Sequence, residues 1–236
     1  MVNRQDASIE RLQSACNTQE ALAHLTDCAR ALDFEYCAYG LQARWPFTCP
    51  HTKIFSNYPQ AWQTRYTKQQ YLASDPTVRH AQTSLDPLIW SDTTFATTPV
   101  LWDEAQSIGL RIGWVQGIHG VGNKGMLTLA RAHEPLSPAE LRNKASYVIW
   151  LTQIMHRTVM RLLLPDSASK DAPVLTDREI EVLRWTGDGK SAGETAAILQ
   201  ITERTVHFHI QSVMAKLGAA NKTAAVVQAA MLGLLR

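Results

Sequence analysis

The sequence predicts an α+β protein: an α/β/α sandwich, with an antiparallel sheet carrying helices on both faces, followed by a four-helix bundle. Three observations predict it. A glycine-rich hairpin pattern lies near the middle of the chain, a long capped helix follows it, and four short capped helices crowd the last ~60 residues. The 236 residues suit two modest domains, and 45% hydrophobic content is enough to bury a core. The boundaries read as 1–164 for the first domain, 165–174 for a linker and 175–236 for the second.

From the N-terminus, Ile9, Leu12, Leu22, Leu25 and Leu32 keep helical spacing over 9–32. Phe34 to Gln42 alternates and is aromatic-rich, as a strand is, and Lys53 to Ser56 reads as a second short strand. Tyr58, Trp62, Tyr66 and Tyr71 recur at helical steps and predict turns that stop before Pro76. Another short helix covers Trp102 to Ile108 and closes at Gly109. Two β-rich runs, IGWVQGIH and MLTLAR, flank GVGNKG and predict the hairpin. The long helix has Ser137 as N-cap, Pro138 at its first position and Glu140 to complete a capping box; Pro165 ends it. The polar stretch 165–173, with its two prolines, reads as the linker.

Charge and cysteine usage narrow the setting. Net charge is only +2, yet from Arg204 onward no Asp or Glu occurs while Arg204, Lys216, Lys222 and Arg236 do. That suits a small nucleic-acid-reading module as well as it suits a solvated surface. Cys16, Cys28, Cys37 and Cys49 make no CxxC pair and read as structural thiols in a reducing compartment. The polar N-terminus is no signal peptide, and no apolar run reaches ~18 residues. The expectation is a cytoplasmic protein without a membrane partner.

The C-terminal signals are dense. Thr176–Glu179 and Ser191–Glu194 form two capping boxes, with Gly187 and Gly189 ending the first helix. Thr202 caps a third helix that Gly218 closes, and Asn221 caps a fourth ending near Gly233. Only Gln200-Ile201-Thr202 joins the second and third helices, the short turn of a helix-turn-helix. On the third helix, Val206, Ile210, Val213 and Leu217 form one stripe. Arg204, Phe208, Gln211 and Ala215 face away from it, with His207 at the edge. Such a face could read base edges in a major groove, with Thr202 and Thr205 on phosphates; a plain bundle with an unused surface is the alternative. His207 and His209 diverge by ~200° on a helix and cannot share a metal ion, so none is expected. His209 reads as a structural hydrogen bonder near the core.

The C-terminal run resembles the LuxR-type helix-turn-helix along its whole length. Glu179, Leu183, Gly189, Thr205-Val206, Lys216-Leu217 and Asn221-Lys222 occupy that family's hallmark positions; Thr195 and His207 depart from it. The resemblance implies double-stranded DNA as partner, contacted by Lys190, Thr202, Arg204, Thr205, His207, Phe208, Gln211, Lys216 and Lys222.

The N-terminal part lacks the acidic cluster and phosphoacceptor of a receiver domain, having only Asp33 and Glu35 beside its first strand. It offers Tyr58, Trp62, Tyr66, Tyr71, Trp90, Trp102 and Trp114 around Asp75, which by spacing could be a small-molecule pocket or an ordinary aromatic core. The segment is similar to the acyl-homoserine-lactone-binding domain of quorum-sensing regulators, with Trp62, Tyr66, Asp75, Pro76, Trp90 and Gly113 on signature positions. The resemblance implies that Asp75 accepts the ligand's amide N–H, Tyr58 donates to its amide carbonyl and Trp62 to the lactone carbonyl. Tyr66, Trp90 and Trp102 would wall the pocket, Gly113 would also lie against the ligand, and Thr128 would lie near the acyl C3 substituent. Ala38 stands where relatives carry a hydroxyl, removing one polar contact. An N-acyl-homoserine lactone is thus the implied effector, with no cofactor, and a homodimer formed through the long helix and the last helix is the implied form. An orphan regulator acting without the lactone, or with relaxed specificity for it, is the alternative. No HxHxDH or GxSxG motif supports an enzyme.

Overall fold

The computed structural model describes residues 2–43, 48, 50–163 and 174–235, with side chains from residue 7 onward. Leu164, Pro165, the 165–173 stretch, Cys49 and Arg236 lie outside the described residues. The chain divides into two compact units, Met1–Pro165 and Asp166–Arg236.

The first unit opens with α1 (Val2–Ser14) and α2 (Thr18–Ala31), where the spacing had suggested one continuous helix. The break is chemical. Asn17 accepts from the Glu20 N–H at 2.8 Å, and the Glu20 carboxylate returns to the Cys16 N–H at 2.8 Å. There follow β1 (Tyr36–Ala43), β2 (Thr52–Ser56), α3 (Gln60–Lys68), a 3₁₀ turn at Tyr71–Ala73, α4 (Pro76–Thr83), β3 (Leu88–Ile89), α5 (Pro99–Ser107), β4 (Ile112–Gly120), β5 (Asn123–Arg131) and α6 (Pro138–Leu163). Strands β4 and β5 run further into the glycine-rich segment than its composition suggested, leaving Val121-Gly122 as the turn with Gly122 at φ +73°.

The five strands form one antiparallel sheet in the order β2-β1-β5-β4-β3. Alternation sorts their side chains. Cys37, Tyr39, Trp114, Leu127 and Leu129 enter a core with residues of α1, α2 and α6, including Leu12, Leu25, Leu151 and Met155. Trp114 therefore sits across the sheet from the aromatic group in which its spacing had placed it. Within that core the Tyr39 hydroxyl meets His156 Nδ1 at 2.6 Å; burial pushes the phenol up and the imidazole down, so the hydrogen bond joins two neutral groups. The other face carries Trp62, Tyr71, Phe95, Leu101, Trp102, Leu110 and Ala130. The α/β/α sandwich is thus as the sequence predicts. Glu140 departs from expectation: its N–H donates to Ser137 Oγ at 3.1 Å, but its carboxylate turns to Arg131 (2.9 and 3.0 Å) and Lys144 (2.6 Å) instead of completing a capping box. Two cations outcompete one backbone N–H.

The second unit contains α7 (Asp177–Gly187), α8 (Ala192–Leu199), α9 (Glu203–Leu217) and α10 (Lys222–Met231). Both capping boxes form as the sequence predicts. Thr202 caps α9, Gly218 closes it at φ +64°, and Asn221 caps α10. Val206 packs with Val182 and Ala196, while Val213 packs with Leu183, Ala225 and Ala229; Ile210 and Leu217 flank these groups. The stripe read from the sequence is the buried face of α9.

Candidate functional site

The helical face of the sheet in the first unit that carries α3, α4 and α5 covers a cavity of about 250 Å³. Its floor is a grid of three rungs set by strand register, with side chains of β2, β1 and β5 side by side. The rungs are Ser56–Ala38–Thr128, Ile54–Gly40–Met126 and Thr52–Gln42–Lys124. One rung beyond Ala38, Tyr36 pairs with Ala130, and here the aromatic cluster gathers. The cavity therefore has an aromatic end and a polar end.

At the aromatic end the backbone turns sharply so that Asp75 can serve as N-cap of α4. Its Oδ1 accepts from the Thr77 N–H at 2.8 Å and the Thr77 hydroxyl at 2.6 Å, and its Oδ2 accepts from the Tyr66 hydroxyl at 2.8 Å. A carboxylate offers about four acceptor positions. Three are filled, which leaves one for a visiting N–H. Burial, then the Asp75 charge, pushes the Tyr66 phenol far up, so it stays a donor. Burial also raises the Tyr58 phenol, with the Asp75 charge adding to the shift. Trp62 is buried against Tyr66 and Tyr71, with ring centroids at 5.9 and 6.2 Å. Its indole N–H has no hydrogen-bond acceptor among the described residues. Tyr58, Trp62, Tyr66, Asp75, Trp90, Ala38 and Thr128 all line this cavity.

Two expected contacts lie elsewhere. Trp102 stands behind the wall, stacked on Phe95 at 4.5 Å with its indole donating to Asp92 at 2.8 Å; Phe95 takes the lining position. Gly113 does not line the cavity either. A Cβ there would lie 2.1 Å from the Trp90 ring, so this glycine makes room for the indole. Sequence reasoning missed Thr77, Phe95, Gly40 and Met126. Thr77 had a signal, since an Asp-Pro pair at a helix start places the next residue beside the cap.

In the second unit, Thr202, Arg204, His207, Phe208, Gln211 and Ala215 are exposed on α9, and Thr205 is half-buried with its hydroxyl 2.9 Å from that of Thr202. Phe208 is 66% exposed, a large apolar side chain that no contact among the described residues explains beyond the neighbouring His209 ring at 5.8 Å. His209 is half-buried and makes no hydrogen bond among the described residues, against the structural role expected of it. Lys190 and Lys222 are exposed. Lys216 corrects its expected role. Its ammonium donates to Glu179 at 2.6 Å and to the Val174 carbonyl at 3.1 Å, anchoring α9 to α7 rather than reaching outward. Burial alone would raise the Glu179 carboxyl, but Lys216, Ser212 and Thr176 together outweigh it and hold it at about 2.

Residues 17–159 match the autoinducer binding domain family, and residues 173–229 match the family of bacterial regulatory proteins, luxR family. The chain belongs to the LuxR family of transcriptional regulators. Its relatives include the transcriptional activator protein AnoR of Acinetobacter nosocomialis, 43% identical over 93% of each chain. The HTH-type quorum-sensing regulator RhlR of Pseudomonas aeruginosa is 37% identical over 98% of this chain and 95% of its own. The crystal structure of Escherichia coli SdiA superposes with a TM-score of 0.80 at 31% identity, covering 100% of this chain and 99% of that one. SdiA in complex with octanoyl-rac-glycerol matches equally well, at 30% identity and a TM-score of 0.80 over 100% and 96%. LuxR-family members are regulators, not enzymes, and the two matches make the first unit an autoinducer-binding domain and the α7–α10 unit a DNA-binding domain. No helix among the described residues is long and apolar enough to cross a membrane.

Proposed function

We propose that this LuxR-family regulator is a cytoplasmic quorum-sensing receptor that binds an N-acyl-homoserine lactone and, as a homodimer, a palindromic promoter site. The observation that carries the ligand reading is the aromatic end of the cavity. Asp75 retains one open acceptor position for an amide N–H, and the Trp62 indole N–H is free to donate to a lactone carbonyl. Tyr58 donates to the amide carbonyl and Thr128 faces the acyl C3 position. Ala38 provides no hydroxyl there. Binding fills an apolar cavity and so stabilises the first unit. α6 and α10 then provide the dimer surfaces, and the two copies of α9 meet half-sites about one helical turn apart. Arg204, His207 and Gln211 read base edges, Phe208 packs on thymine methyls, and Lys190, Lys222, Thr202 and Thr205 hold phosphates.

A second reading has a specific observation behind it: SdiA, a structural neighbour, has been solved with octanoyl-rac-glycerol. A chain of relaxed specificity would accept that acylglycerol as readily as a lactone. Thermal unfolding with each compound separates the two. A cognate lactone at ~100 times its Kd adds ~2.7 kcal/mol. Equal shifts with octanoylglycerol would favour the relaxed reading, and no shift with any lactone would sink the receptor assignment.

A further inference from the structure

At the polar end of the cavity, four residues bond to one another in a chain. The Lys124 ammonium donates to the Gln82 carbonyl, the Gln82 amide donates to Gln42 Oε1 at 3.1 Å, and the Gln42 amide donates to Thr52 Oγ1 at 3.4 Å. All four line the cavity and are half-buried. They span β2, β1, β5 and the last turn of α4, so the chain lies across the floor and one wall of the cavity. Immediately before it lies the Ile54–Gly40–Met126 rung. A Cβ added at Gly40 would meet nothing within 4 Å, and Gly40 has ordinary strand backbone, so open space stands above it. The channel is therefore apolar and roomy in its middle rung and polar at its far one.

An acyl tail anchored by its head at the aromatic end must run along this floor. The rungs are ~7 Å apart, two residues of strand. Up to the Gly40 rung each buried methylene is worth roughly fourfold in affinity. Beyond it, an apolar tail displaces amide groups from partners they already have, leaving them unpaired. We infer that Gly40 and the Lys124–Gln82–Gln42–Thr52 chain together set the length of acyl tail that this regulator accepts, Gly40 by giving room and the polar chain by ending it. This inference rests on the lactone reading.

The test is a series of N-butanoyl-, hexanoyl-, octanoyl- and dodecanoyl-homoserine lactones titrated against the full chain, read by melting temperature and by Kd. In the parent protein, affinity should climb with tail length and then level off. Gln42→Leu should make it climb further, raising the dodecanoyl-to-hexanoyl affinity ratio at least about fivefold. Gly40→Val should make it level off earlier, lowering the octanoyl-to-butanoyl ratio by a similar factor; valine suits a paired strand. Lys124→Met, which removes one end of the polar chain, serves in place of Gln42→Leu if that variant does not fold. Lactone binding with the same length profile in parent and variants would overturn this inference and leave the lactone reading intact. Failure of the parent to respond to any lactone would overturn both.

Discussion

Asp75 does two jobs, capping α4 and offering an acceptor to the cavity, and substitution can separate them. Asparagine caps helices about as well as aspartate. Asp75→Asn should therefore leave the melting temperature of the unliganded protein nearly unchanged. Its NH₂, however, would face the ligand N–H, donor against donor, while the Tyr66 hydroxyl would have to turn and accept from it. Lactone affinity should fall by ~1–3 kcal/mol, measured by calorimetry or a reporter dose response. Asp75→Ala should lose a further ~1 kcal/mol of protein stability with the cap. Asp75, Trp62 and Tyr66 were legible in the sequence because a carboxylate among aromatic side chains stands out, and the family resemblance gave them roles. Trp102 and Gly113 were legible as positions but not as contacts, since the ring that Trp102 stacks on and the ring that Gly113 admits come from other segments. Nothing in local spacing distinguishes a wall from the layer behind it.

Helices with strong end signals were readable, and those whose signals point two ways were not. The capped helices α7 to α10 follow their sequence closely, while α4 is hidden because Pro76 reads as a stop. It is the first residue of a helix that Asp75 begins. β3 has two residues, too few to show any period. The pairing of α7 with α9 was hidden too, since Glu179 and Lys216 stand 37 residues apart and their ion pair needs the folded bundle. That pair gives a prediction about the element. Glu179 is 4% exposed, and its carboxyl is held at about 2, below its ordinary 4.5. A carboxyl depressed in the folded state contributes stability above its unfolded value and loses it as pH falls through the folded one. The α7–α10 unit should therefore be fully stabilised by this pair above pH 4.5 and lose that contribution between 4.5 and about 2. Lys216→Met should leave a buried carboxylate short of its cation, costing roughly 3 kcal/mol and moving the acid transition to higher pH. Far-UV circular dichroism against pH measures both, and an unchanged acid midpoint would contradict the anchoring role.

For the whole molecule, two units with separate cores imply separable defects. Arg204→Ala or Gln211→Ala touches only an exposed face of α9. Either should weaken specific DNA binding by ~1–3 kcal/mol and leave the lactone-dependent rise in melting temperature intact. Lys222→Ala should weaken specific and scrambled duplexes alike and make the salt dependence shallower by about one unit. Binding of both α9 variants at the parental level would remove this helix as the reader. The two-part architecture was readable from periodicity and caps, but the strand order and the allotment of residues to the two sheet faces were not. Alternation says that Trp114 and Val115 point opposite ways without saying which way the cavity lies. Asp75 begins α4 and Gln82 sits in its last turn, while His119 and Lys124 hold the carbonyls of Ala81 and Gln82 at that far end. Eight helical residues make a strut of ~12 Å that does not stretch. On the lactone reading, head and tail of the effector are gauged against opposite jaws of one caliper. A molecule with the right lactone and the wrong tail would then push on the same rigid bar whose other end holds Asp75 for its amide.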